Sequence, residues 1–277
     1  FLALRDKESR DTAIFHIKEN LPQSLSYFRS ELDKELESKE NIGLVAIYNR
    51  LFQEQFPYIF NATLKEEYLS CEDALSYTTS IVFQKELYET QTSLKKMVDR
   101  YIKILDKGKL GNSDPLVVLK EINEKITQSL ILDNSFVQHY DFTEILDRNI
   151  ASQYSLSFLI LIIAERLELP IFGIPFEDKM VLCYAHEYCS HNETVFEDDI
   201  QYYSVIGAKD LTYTLSDLKL YAMLMEESLD FKNILPHSSG KLAIAWLEHL
   251  HRSDFDPKTK RSLSSIYQHI FANVEEY

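Results

Sequence analysis

Glycine and proline are scarce in this sequence, six and seven residues of 277. Both are the usual breakers of regular structure, so their scarcity predicts a mostly helical chain with few interruptions. Cysteine is scarce too. Three residues, an odd number and few for this length, do not look like a disulfide framework and fit a reducing cytoplasm. Basic residues are outnumbered, 29 Lys and Arg against 44 Asp and Glu, for a net charge of −15 and a pI near 5.0. Such a balance disfavours nucleic acid and anionic membrane surfaces, because phosphate contacts need Lys and Arg. No long apolar run is present. The longest, Phe158 to Ala164, has seven residues, against the roughly twenty that span a bilayer. No basic segment followed by an apolar stretch opens the chain, so no signal peptide is expected. Phe1-Leu2-Ala3-Leu4 lacks an initiator Met, which leaves room for a trimmed chain or a removed leader.

Also missing are the short motifs of common enzyme classes. There is no Walker A sequence, no dinucleotide fingerprint, no G-x-S-x-G and no H-E-x-x-H. No cofactor is therefore expected.

What the sequence does contain is helical periodicity. Residues 9–20 read as a helix with Ile14, Ile17 and Leu21 on one side. Pro22 suits the first turn of a second helix, where Leu25, Phe28, Leu32 and Leu36 follow. Residues 41–56 predict a third, with Leu44, Ile47, Leu51 and Phe52 inward. Short helices that cannot bury a face alone suggest HEAT-like hairpins. Ser70-Cys71-Glu72-Asp73 has the form of a capped start. Thr92 to Leu105 is periodic through Leu94, Met97, Val98, Tyr101, Ile104 and Leu105. Residues 106–113 (DKGKLGNS) read as a linker, and Asp114-Pro115 restarts a helix through Leu130.

The period changes after Pro170. Ile171 to Phe176 and Met180 to Ala185 are short, apolar and strand-like, and Gln201–Ile206 and Leu211–Tyr213 extend the set. Thr214-Leu215-Ser216-Asp217 caps a further helix, and Ser238–Leu250 with Pro257–Val274 form a closing hairpin. The expected fold class is α+β, predominantly α. The expected division is 1–108 helical, 109–230 a core with a small antiparallel sheet, and 231–277 a helical tail.

Ser155-Leu156-Ser157 and Ala164-Glu165-Arg166-Leu167-Glu168-Leu169-Pro170-Ile171-Phe172-Gly173 are distinctive. With the flanking helices, they resemble the bacterial SirB-type transglutaminase-like family along nearly the whole chain. That resemblance implies a papain-like core and a tetratricopeptide-like tail. In active transglutaminase-like enzymes a Cys opens the central helix, where the helix dipole favours thiolate. A His on the following strand is the base, and an Asp or Asn orients it. Carried over by position, the Cys place falls at Gln153 and the His place at Lys179. The third group's region falls near Ser204-Val205, which offers no Asp or Asn. No Cys lies between residues 140 and 182, and neither does any His. The resemblance thus implies a degenerate site and a pseudoenzyme that binds another protein in the cytoplasm. The rival expectations are a hydrolase or acyltransferase with its site elsewhere, and a small-molecule-binding regulator using the old cleft.

Other residue groups have simpler explanations. Cys183, His186, Cys189 and His191 form C-x-x-H-x-x-C-x-H, whose side chains are soft zinc ligands. Closed zinc sites draw two ligand pairs from separate turns, and on one extended strand His186 points away from the other three. A core Cys183 with loop residues beyond it is the expectation, and no metal is assigned. His139-Tyr140-Asp141 could supply an acid and a base, but reads equally as a loop before a helix. Glu197-Asp198-Asp199 lacks the turn and spacing of a calcium loop and suits a solvated hairpin tip. His249 and His251 flank Leu250, cannot share a helix face, and are read as packing and surface residues beside Trp246.

Overall fold

The computed structural model describes residues 15–16, 21–34, 45–53, 70–105, 115–176, 179–185, 200–206, 209–213 and 239–271. Helices α1 (Leu21–Lys34), α2 (Cys71–Val82), α3 (Leu87–Ile104) and α4 (Pro115–Thr127) come first, with a further helical segment at 45–53. A compact stretch follows. It comprises β1 (Ile131–Leu132), a 3₁₀ turn (Val137–Tyr140), α5 (Ile145–Arg148) and β2 (Ile150–Ala151). Then come α6 (Gln153–Arg166) and the strands β3 (Ile171–Phe176), β4 (Lys179–Ala185), β5 (Ile200–Ile206) and β6 (Lys209–Tyr213). The helices α7 (Ser239–Arg252) and α8 (Pro257–Phe271) close the series. The class is α+β and predominantly α, as the sequence predicts. Both expected boundaries, at 108/109 and 230/231, lie outside the described residues. So do the 9–20 helix apart from Phe15 and His16, the 106–113 linker and the helix capped at Thr214–Asp217.

Helix α6 is the axis of the core. Its apolar residues surround it, so burial on every side is its only stable arrangement. Tyr154 through Ala164 are all buried. Ser152 starts the helix by accepting the Ser155 N–H on its hydroxyl at 3.0 Å. The helix ends as Glu168 takes a left-handed conformation with φ 54°, and the Leu169 N–H returns to Ala164 O at 2.9 Å. That closure satisfies a terminal carbonyl, and Pro170 prevents continuation.

The four strands β3 to β6 form an antiparallel meander in sequence order. The register pairs Gly173 with Leu182 and Pro175 with Met180, so these share a face with Ile171. Ile171, Met180 and Leu182 belong to the main apolar core, and that face packs on α6. Gly173 is where the packing is tightest. A Cβ there would meet Leu161 Cδ1 at 2.8 Å, Met180 Sδ at 2.9 Å and Leu242 Cδ1 at 3.0 Å. The missing side chain lets α6 and α7 lie on the strand together. Ile174, Val181 and Cys183 form the alternate set and are also buried.

One apolar cluster takes members from Leu32 in α1 to Leu263 in α8. Leu51 and Phe52 of the 45–53 segment are buried, in line with their spacing. Ser70 caps α2 as its sequence suggests, accepting the Asp73 N–H at 3.0 Å. Ile104 departs from expectation. It lies at the last turn of α3 and is 47% exposed, while Leu105, outside the helix, turns inward. Periodicity fails there because the chain leaves helical geometry one residue later.

Two polar ties join distant segments to the core. Arg166, in the last turn of α6, reaches Glu72 of α2 and Asp99 of α3. Lys85, between α2 and α3, pairs with the nearly inaccessible Asp141 at 2.7 Å and also reaches Thr143. Asp141 further accepts the Thr143 N–H at 2.9 Å, so its burial is matched by partners.

Candidate functional site

Gln153, where the resemblance would place a cysteine, is the first residue of α6. It stands where four backbone N–H groups would ordinarily seek acceptors and where the helix dipole favours negative charge. Side chains already occupy that end. The Gln153 N–H donates to Asn134 Oδ1 at 2.8 Å, and the Ser155 N–H to Ser152 Oγ at 3.0 Å. The Ser152 hydroxyl in turn donates to Ser155 Oγ at 2.8 Å, fully buried.

Lys179 opens β4, opposite Phe176. Alternation places position 179 in the set of Val181 and Cys183, while the set packed on α6 begins at Met180. The first turn of α6 does lie beside the start of β4. Ser157 Oγ is 3.2 Å from Gln153 O and 3.4 Å from Met180 O. The contact is made by the Met180 backbone carbonyl, while its sulfur lies toward Gly173. Ser204, in the region of the third group, pairs with Val181 in β5.

The segment before α6 builds the rest of the site. β1 and β2 pair in parallel, Ile131 with Ile150 and Leu132 with Ala151. The 3₁₀ turn docks on them, as the Ser152 N–H donates to His139 O at 2.7 Å. His139 is buried, with Nδ1 3.1 Å from Asp133 O and 3.4 Å from Asp133 Oδ2. The Ser135 backbone amide, donating to Asp133 Oδ1 at 2.8 Å, holds the Asp133 carboxyl below its ordinary range. The loop expected at 139–141 is therefore a packed 3₁₀ turn, with Tyr140 and Asp141 buried.

A second histidine arrives from the tail. His249 of α7 stacks on Tyr154, ring centroids 4.4 Å apart and planes 18° from parallel. Its Nε2 lies 3.3 Å from the Tyr140 hydroxyl. Phe255 meets the edge of Tyr140 at 5.7 Å, and Trp246 lies 6.0 Å from Phe142. His249 is thus a packing residue, as the sequence suggests, but one that packs on Tyr154 in the first turn of α6. Only α7 docking on α6 creates this neighbourhood, and residue spacing carries no signal of it. His251 stacks on Tyr267 instead.

The cysteines offer little chemistry. Cys183 is fully buried, and burial pushes its thiol up to about 12. Burial raises the Cys71 thiol well above its ordinary value, reinforced by Glu165 and Glu72. A raised pKa leaves almost no thiolate at neutral pH. Cys183 is the one member of the C-x-x-H-x-x-C-x-H run inside the described residues. His186, Cys189, His191 and the acidic 197–199 lie outside them. Among the described residues no three His, Cys, Asp or Glu side chains come together as a metal site. No helix among them is long and apolar enough to cross a membrane.

Compared with protein-family models, curated proteins and solved structures, the chain finds no match.

Proposed function

We propose that this chain is a non-enzymatic transglutaminase-like protein that works in the cytoplasm by binding another protein. The observation that carries the reading is the state of the α6 amino end. A thiolate nucleophile needs that helix end to hold its charge. Here the position matching the nucleophile is Gln153, and Asn134 and Ser152 take the N–H groups at either side of Tyr154. The backbone carbonyl of Met180 in β4 accepts from the Ser157 hydroxyl. An amide supplies neither a nucleophile nor a base. Among the described residues, α6 sits in one apolar core with the helices around it, which suits a frame for a recognition surface.

A second reading, a hydrolase or acyltransferase with a different residue set, is favoured by one observation. His249 reaches the first turn of α6 and meets the Tyr140 hydroxyl. Both rings are packed against aromatic neighbours. The test is turnover by the purified chain on a panel of esters and amides, alongside Gln153→Ala and His249→Ala. The scaffold reading expects all three at the blank level. Turnover by the parent that either substitution abolishes would establish an enzyme instead.

A further inference from the structure

The turn that covers the amino end of α6 also presents a surface. Ile131 and Phe136 are 64% and 59% exposed, among the most exposed large apolar side chains described. Single exposed apolar residues are ordinary. These two stand on one six-residue stretch, from β1 to the start of the 3₁₀ turn, with Asp133 between them in the chain. Ile131 and Asp133 sit two apart along an extended segment, so they share a face. Asp133 faces His139, and the Phe136 ring lies 5.4 Å from the His139 ring. The result is a strip of apolar, acidic and apolar character.

The turn is held firmly beneath the strip. Asp133 N–H bonds Ala151 O at 3.0 Å, Asn134 bonds Gln153, and His139 O accepts from Ser152. An ordered exposed anchor loses little conformational entropy on binding. The charge of the strip selects its occupant. Asp133 is a carboxylate on a protein of net charge −15, so an acidic segment is repelled and a basic one attracted.

We propose that the Ile131–Asp133–Phe136 strip docks a segment of another protein in which a Lys or Arg lies between apolar side chains. The apolar side chains cover Ile131 and Phe136, and the cation pairs with Asp133. This rests on the protein-binding reading above and names the surface that serves it.

The test is selection of a phage-displayed library of random peptides on the 277-residue chain, followed by affinity measurement of the enriched peptides. Sequences with a basic residue between apolar ones are expected, with binding that weakens as salt rises. Ile131→Ser and Phe136→Ser should each weaken binding about tenfold or more. Asp133→Asn, which keeps the acceptor for Ser135, should weaken it with the fold unchanged by circular dichroism. Asp133→Lys should shift selection toward acidic peptides. Absence of enrichment overturns the proposal, as do peptides that bind parent and variants alike. Self-association that these substitutions abolish also overturns it, since the occupant would then be a second copy. If a cellular partner is still captured by the variants, this strip is wrong while the protein-binding reading stands. If the parent turns over substrate, that reading is what fails.

Discussion

His249 lies face to face with Tyr154, the second residue of α6. The contact ties the carboxy-terminal helices to the start of the central helix. It joins residues 95 positions apart into one aromatic group with Tyr140, Phe142, Phe158, Trp246 and Phe255.

Because that histidine both stacks and hydrogen-bonds, His249→Ala should destabilise the fold by about 1–2 kcal/mol. His249→Phe restores a ring without the Tyr140 bond and should recover roughly half of the loss. Urea unfolding midpoints at constant slope measure both. An unchanged midpoint for His249→Ala would mean the tail docks without this contact.

Gly173 sits under Leu161, Met180 and Leu242 at once. Gly173→Val should therefore overpack the junction of β3, α6 and α7 and cost about 1–3 kcal/mol. Gly173→Val combined with Leu242→Ala, which opens room on one side, should cost less than the sum of the two alone. Additive losses would show that the three side chains do not crowd this position.

Glu165 gives a signed pH effect. Its carboxylate accepts the Cys71 N–H at 2.9 Å and so caps α2. Desolvation raises its pKa above the ordinary 4.5, with Asp73 and Glu72 adding repulsion, while the Cys71 bond and Arg166 oppose the rise. A carboxyl with a raised folded pKa binds protons more readily folded than unfolded. Its contribution to stability is present at low pH and is lost as pH climbs from the ordinary value through the raised one. Glu165→Gln should flatten this part of the stability profile in weak acid. A profile identical to the parent's would remove Glu165 as its source.

Cys71 and Cys183 should react with iodoacetamide in the folded protein at least about a hundredfold more slowly than free cysteine at neutral pH. Mass mapping of the alkylated sites over time reads each residue separately. Modification of either faster than free cysteine would point to an activated thiol and contradict the burial described for both.

The apolar run of α6, the strand at Ile171–Phe176 and the Ser70 and Pro115 helix starts were legible as patterns, because each rests on local chemistry. A helix with no polar side must be buried, a hydroxyl before acidic residues caps a helix, and proline suits a first turn. Gln153 was placed at a helix start only through the family resemblance, and it is the first residue of α6. The turn at 131–141 was not legible. Its β1–β2 pairing and the burial of His139 and Asp141 depend on contacts with Ala151, Ser152 and Lys85, far along the chain. The inward set of β4 was equally hidden, since four successive buried residues, Met180 to Cys183, show no alternation until strand pairing separates the two faces. Spacing along the chain determined which segments are helix or strand and which chemical groups are missing. Only the tertiary packing of His249 from α7 and of the 131–141 segment decided what surrounds the first turn of α6, because those neighbours are brought there by burial of apolar surface, which has no sequence register.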